Sequence, residues 1–285
     1  VCRAIHSYFN DMTNDEIFNY QMDNCKLLKY DFKNLYKTLL PIYLITFVIT
    51  ILTVILNNLS YTSNLFSTLN ALMMLSYVVI LMVLVVGTFF LNVRDFYLDF
   101  ATERGYLINT LPVKKSSIIT SKFITGLTTM ISSLAVVFIS FIILIIGNGE
   151  WTNFANDIAN ILEDIPNYVV LLLTLITILM IIAYISGLAI CYLSIALGQL
   201  KNTNKLGFSF LAYIILYIIY EMYFTFALTF VGMISPDFVT SLDSEVGVIS
   251  PVYILFGILI GLIIIFTAIV TPITNYILKN KLNLE

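Results

Sequence analysis

Charge is scarce in this chain. Asp, Glu, Lys and Arg together make up 11% of its 285 residues, where soluble domains carry about 25%. That excludes an ordinary soluble domain, whose water-facing surface needs far more ionisable side chains. Histidine is almost missing: His6 is the only one, so a histidine metal site or acid–base pair has no second member. The three cysteines, Cys2, Cys25 and Cys191, are scattered. They make no CxxC and no ligand spacing, and read as small apolar fillers. The GxxxxGK[ST] phosphate loop, HExxH and GxSxG are absent as well, which excludes nucleotide hydrolysis of the P-loop kind. The apolar runs hold no paired acids and no Ser/His pair of the sort an intramembrane protease requires. No enzymatic activity, no cofactor, no metal and no nucleic-acid partner is expected.

What is there is apolar. Hydrophobic residues make up 60% of the chain, and the mean hydropathy is +0.97. Six apolar runs lie near 38–57, 70–91, 121–147, 168–198, 206–234 and 251–278. Each can cross a hydrocarbon core of about 30 Å, which takes roughly 20 helical residues. The runs are continuously apolar rather than alternating, so they are helices and not barrel strands. The fold class expected is an all-α integral membrane protein, with residues 22–285 forming a single six-span domain. Pro41 and Pro251 are placed in the first turns of their spans, where a missing N–H costs least, and Pro272 falls late in the sixth span, where it kinks the helix.

The few charges are placed on one side. Thirteen Lys and Arg residues lie beyond residue 21: Lys26, Lys29, Lys33 and Lys37 before the first span, Arg94, Arg104, Lys114, Lys115 and Lys122 between spans two and three, Lys201 and Lys205 after span four, and Lys279 and Lys281 in the tail. The alternate loops, about 58–69, 148–167 and 235–250, hold no Lys or Arg and seven acids. By the positive-inside rule the basic side is cytoplasmic, with both termini inside and the protein in the cell membrane.

Residues 1–21 differ from the rest of the chain, and the regular pattern opens at Met22; the first stretch is expected to be an extension or start-site artefact. Lys26, Lys29, Lys33 and Lys37 recur at three- and four-residue steps opposite Leu28, Phe32, Leu35 and Leu39. This spacing predicts an amphipathic helix over 24–39 lying on the membrane against anionic lipid. Trp151, Phe154, Ile158, Ile161, Leu162 and Ile165 predict a short helix on the opposite leaflet. Small residues at Gly126, Ser132, Ser133, Ser186, Gly187 and Ala189, and the Gly257/Gly261 pair, are expected to let spans pack closely within the molecule.

One acid stands inside a span. Glu221 lies near the middle of the fifth run, where a carboxylate is expensive. It is expected either to line a pathway with Tyr217 and Tyr220 or to fix helix packing. Between spans two and three, Phe96–Ile108 can form a helix in which Phe96, Phe100 and Leu107 alternate with Asp99, Glu103 and Arg104. That helix ends before a turn at Leu111-Pro112.

From about Met22 onward the chain resembles ABC-2 type permeases, the membrane subunits of ABC exporters. The resemblance rests on KLLKYDFKNLYKTLLPIY (Lys26–Tyr43) and ERGYLINTLPVKKSSIITSK (Glu103–Lys122), with Leu111-Pro112-Val113 matching the family's Leu-Pro turn and Ser121-Lys122 its later Ser-Lys pair. The large outer domain of some members is missing. The resemblance implies a cytoplasmic coupling helix on the 92–122 link. It would dock a separate ATPase subunit through Asp99, Phe100, Glu103, Arg104, Gly105, Tyr106, Leu107, Leu111 and Pro112. It further implies a second permease subunit, alike or different, and outward movement of an amphipathic peptide, lipid or drug-like substrate. A secondary transporter using Glu221 and a non-transporting scaffold are the alternatives.

Overall fold

A computed structural model describes residues 14–60, 63–102, 115–164, 166–201, 204–234 and 249–280. All regular structure among the described residues is α-helical. In chain order the helices are α1 (Asn14–Leu59), α2 (Asn64–Ala101), α3 (Lys115–Gly147), α4 (Trp151–Asp164), α5 (Asn167–Gly198), α6 (Lys205–Ile234) and α7 (Ile249–Asn280). Six of them, all but α4, are long and apolar enough to cross a membrane. They contain the six expected runs, so the chain is a multi-pass helical membrane protein.

The first helix departs from expectation. Residues 24–39 are not a separate helix lying across the first span; they are the stem of α1, which continues to Leu59. The physical reason is local: no glycine or proline interrupts the chain from Asn14 to Leu40, so nothing ends the helix. Leu35 and Leu39 are buried in the fold, while Lys29, Lys33 and Lys37 are exposed. Pro41 accordingly lies inside a helix rather than in a first turn.

The helices form two compact units. The first holds α1, α2 as far as Asp95, α3 and nearly all of α4. Here α1 and α3 pack backbone to backbone, closely enough that a Cβ at Gly147 would stand 2.8 Å from Val54 Cγ2. α2 makes almost no such close approach to either. It is joined to the pair by polar side chains instead. The end of α3 is a Schellman turn: Gly149 takes φ 75°, the Gly149 N–H donates to the Ile146 carbonyl, and the Glu150 N–H donates to Ile145. After it comes α4, the short helix expected there, with Trp151, Ile158 and Ile161 exposed.

The second unit takes the end of α2 from Phe96, with α5, α6 and α7. Its centre is α5: Leu188–Leu193 and Ser194–Ala196 are all buried. Phe96 stacks on Tyr192 with ring centroids 4.0 Å apart. From α7, Phe266 meets Tyr220 and Tyr223 of α6. Just before α6, Asn204 takes φ 54°, a conformation asparagine tolerates better than most residues. Gly198 is needed there, since a Cβ would lie 3.0 Å from the Lys205 carbonyl and 2.9 Å from Ser209 Cβ. Among the described residues, no neighbouring atom comes within 4 Å of a Cβ built at Gly257 or Gly261, so the pair makes no close approach to them.

Candidate functional site

In the first unit, three helix ends on the lysine-rich side converge on an ion cluster. α1 brings Asp31 and Asn34 on the face that carries Leu35 and Leu39. α2 brings Asp95 from its last turns, and α3 brings Ser121 and Lys122 from its second turn. The Lys122 Nζ donates to Asp31 Oδ1 at 2.8 Å and to Asp95 Oδ2 at 2.6 Å. Ser121 Oγ donates to Asp31 Oδ2 at 2.6 Å, and Asn34 Nδ2 donates to Asp95 Oδ1. All four carboxylate oxygens therefore have a donor. The side chains of Lys122, Asp31 and Asp95 are only 2%, 3% and 5% exposed, which is tolerable for charges only when they are paired and hydrogen-bonded in this way. The two carboxylates offer oxygens that a cation could use, but Lys122 already bridges them.

The cluster opens a ladder of polar pairs that continues along the unit. Asn92 of α2 donates to Thr129 of α3 at 3.0 Å. One layer on, Thr88 meets Ser133 at 2.7 Å, and Tyr43 meets both Ser133 at 2.9 Å and Ser132 at 3.0 Å. Ser140 then joins Thr50 at 2.9 Å and Tyr77 at 3.0 Å. At the far end Asn57 donates to Asn148 and accepts from Asn70, both at 2.9 Å. Other hydroxyls along the ladder return to their own backbone; Thr46 and Thr53, for example, donate to the carbonyls of Ile42 and Ile49. This is how polar groups are satisfied where no water is available.

Arranged so, the cluster is a brace. Lys122 lies after the 102–114 link and Asp95 before it, so the link's two flanking helices are tied together by one ammonium group, which also holds α1. A displacement of the link then reaches three helices rather than two.

The expected site residues fare differently. Asp99 and Phe100 are buried, at 3% and 2% exposure, and Phe100 packs on Phe96 with centroids 4.7 Å apart. The helical periodicity of α2 turns both inward. Glu103, Arg104, Gly105, Tyr106, Leu107, Leu111 and Pro112 lie outside the described residues. Glu221 and Tyr217 are exposed on α6, and Tyr217 sits within hydrogen-bonding reach of the carboxylate. Tyr220 points elsewhere, against Phe224 and Phe266.

The residues that sequence reasoning missed are Asp31, Asp95 and Lys122 as a set. Their signal was an ionisable residue in line, at three- and four-residue steps, with the Thr, Ser and Asn residues of each of three helices. Comparison of the chain with protein-family models, with curated proteins and with solved structures finds no match.

Proposed function

We propose that this chain is the permease subunit of an ABC exporter of the ABC-2 type, working with a separate ATPase subunit and a second permease subunit. It moves an amphipathic substrate (peptide, lipid or drug-like) outward across the cell membrane, and both its termini are cytoplasmic. Six spans and the one-sided placement of Lys and Arg support that topology. The observation that carries the role is the ion cluster at the mouth of the 102–114 link. A loop that receives force from a motor needs stiff anchors, and here both flanking helices and α1 are held by Lys122. A chain without a nucleotide-binding motif draws that force from a partner.

Docking falls to Glu103, Arg104, Gly105, Tyr106, Leu107, Leu111 and Pro112 as a coupling helix and turn. Charges there set partner choice and association rate. Lys29, Lys33 and Lys37 on the α1 stem face anionic headgroups, holding the stem at the inner surface.

The test is purification from the native cell in mild detergent. An ATPase subunit recovered in stoichiometric amount supports the role. A folded chain recovered alone, without ATP-dependent substrate movement in vesicles, refutes it.

A further inference from the structure

Tyr213, Tyr217, Glu221 and Thr225 follow one another at four-residue steps on α6, so they share one stripe of the helix. Glu221 lies near the middle of α6 and is exposed, as is Tyr217. Ile218 and Met222 flank the acid and are exposed as well. The Thr225 hydroxyl donates to the Glu221 backbone carbonyl at 2.9 Å, while the Tyr217 hydroxyl is within reach of the carboxylate. A carboxylate has about four acceptor positions, so one phenol leaves most of that capacity open. The runs 168–198, 206–234 and 251–278 hold no Lys or Arg. Positive charge for Glu221 therefore has to come from outside these three spans. At that depth in hydrocarbon it has to travel on an apolar body.

We propose that this stripe is a binding site for a lipophilic cation, one positive charge carried on a bulky apolar group, which enters sideways from the lipid. Its charge pairs with the Glu221 carboxylate. Its body lies on Tyr217, Ile218 and Met222, where apolar contact and the attraction of a cation to an aromatic ring act together. The rings of Tyr213 and Tyr217 are 6.3 Å apart and 26° from parallel, which extends the aromatic surface by a further turn. The chemistry of the stripe narrows the ligand. A hard ion such as calcium takes about six to eight oxygens, and here one carboxylate and one phenol stand together. A neutral amphipath leaves the carboxylate unmatched, and an anion is repelled by it. The site is a property of this span alone. It goes beyond the exporter role and needs no ATPase.

The experiment uses the purified full chain in phosphatidylcholine nanodiscs, with empty nanodiscs as the blank. The probes are radiolabelled tetraphenylphosphonium and tetraphenylborate, which share size and shape and differ in the sign of their charge. Saturable binding is expected for the phosphonium and none for the borate. Glu221→Gln removes the charge and keeps the shape; it is expected to weaken phosphonium binding roughly tenfold or more. Glu221→Asp keeps the charge and most of the binding, and Tyr217→Phe keeps the ring and changes binding less than Glu221→Gln does. Asp157→Asn, at an exposed acid on α4, leaves binding unchanged and so separates the site from outer-surface charge. Equal binding of the two probes shows apolar partition alone and overturns the proposal. So does phosphonium binding that survives Glu221→Gln, or its absence from the unaltered chain, where a neutral acid or another protein on this face would account for it. Binding lost in Glu221→Gln with no co-purifying ATPase refutes the permease role and leaves the site standing; a recovered ATPase with binding indifferent to Glu221 does the opposite.

Discussion

Replacing Lys122 with methionine is the sharpest test of the brace. Methionine keeps the length of the side chain and removes the ammonium group, leaving Asp31 and Asp95 as two buried carboxylates on facing helices. Each has lost its bond of 2.8 or 2.6 Å to Nζ. Because the side chains are at most 5% exposed, water cannot replace what was lost. Breaking a buried ion pair from one side costs about 3–5 kcal/mol, against a total stability of about 5–15 kcal/mol for a folded protein. Asp31→Asn is a different matter: Lys122 keeps Asp95, and the amide oxygen can still accept from Ser121, so the loss is about 1–2 kcal/mol. The triple change Asp31→Asn, Lys122→Met, Asp95→Asn removes the ammonium group and both carboxylates it bridges, and is expected to recover at least half of what Lys122→Met loses. The assay is the temperature of half-loss of the monodisperse peak in detergent, where Lys122→Met is expected to fall by roughly 5–15 °C. If Lys122→Met matches the parent chain, or if the triple variant is worse than Lys122→Met, the cluster is not a buried brace.

The other predictions concern packing and coupling. Gly147→Ala drives a methyl group against Val54, which as a β-branched residue cannot swing aside; about 1–3 kcal/mol should be lost and regained with Val54→Ala, read as the same melting temperature. Gly198→Ala meets the Lys205 carbonyl at 3.0 Å, and no side-chain change at Ser209 can relieve a backbone clash, so Ser209→Ala should rescue it poorly by the same assay. Thr88→Val and Ser133→Ala should each weaken the hold of α2, with a coupling of about 0.6 kcal/mol in a double-mutant cycle. Reversing Glu103 and Arg104 together should abolish ATP-driven transport while the chain still inserts; unchanged transport in vesicles rejects docking at those residues.

Spans and their order were legible because twenty apolar residues in a row admit few structures. Helix ends were less so. The expected break after Leu39 needed a stop signal that the sequence does not contain, so the lysine stripe lies along the exposed side of one long helix rather than on a separate one. The ladder was legible and was missed. On α1 Asp31, Leu35, Leu39, Tyr43, Thr46, Thr50, Thr53 and Asn57 step by three and four; on α2 so do Thr88, Asn92, Asp95 and Asp99; on α3 so do Lys122, Thr125, Thr129, Ser133 and Ser140 at one or two such steps. Read as isolated hydroxyls in apolar runs these say little. As three stripes of one period they mark the faces that meet. The pairing of Lys122 with Asp31 spans ninety-one positions, and no local pattern announces a partner that far away. Counting Lys122 among solvated loop cations came from its neighbours Lys114 and Lys115, although its place one helical step before Thr125 set it on the buried stripe.

Two acids in the first unit and one in the second show where this chain is sufficient and where it is not. Asp31 and Asp95 have every oxygen matched from within the unit, by an ammonium group, a hydroxyl and an amide. Glu221, deeper in its span, is matched only by a tyrosine on its own helix, and both face outward. Under the permease role proposed above, force enters where the helices are tied by Lys122. On that role, Lys122→Met should abolish transport at temperatures where the variant is still folded. Transport retained under those conditions would separate the brace from the coupling step.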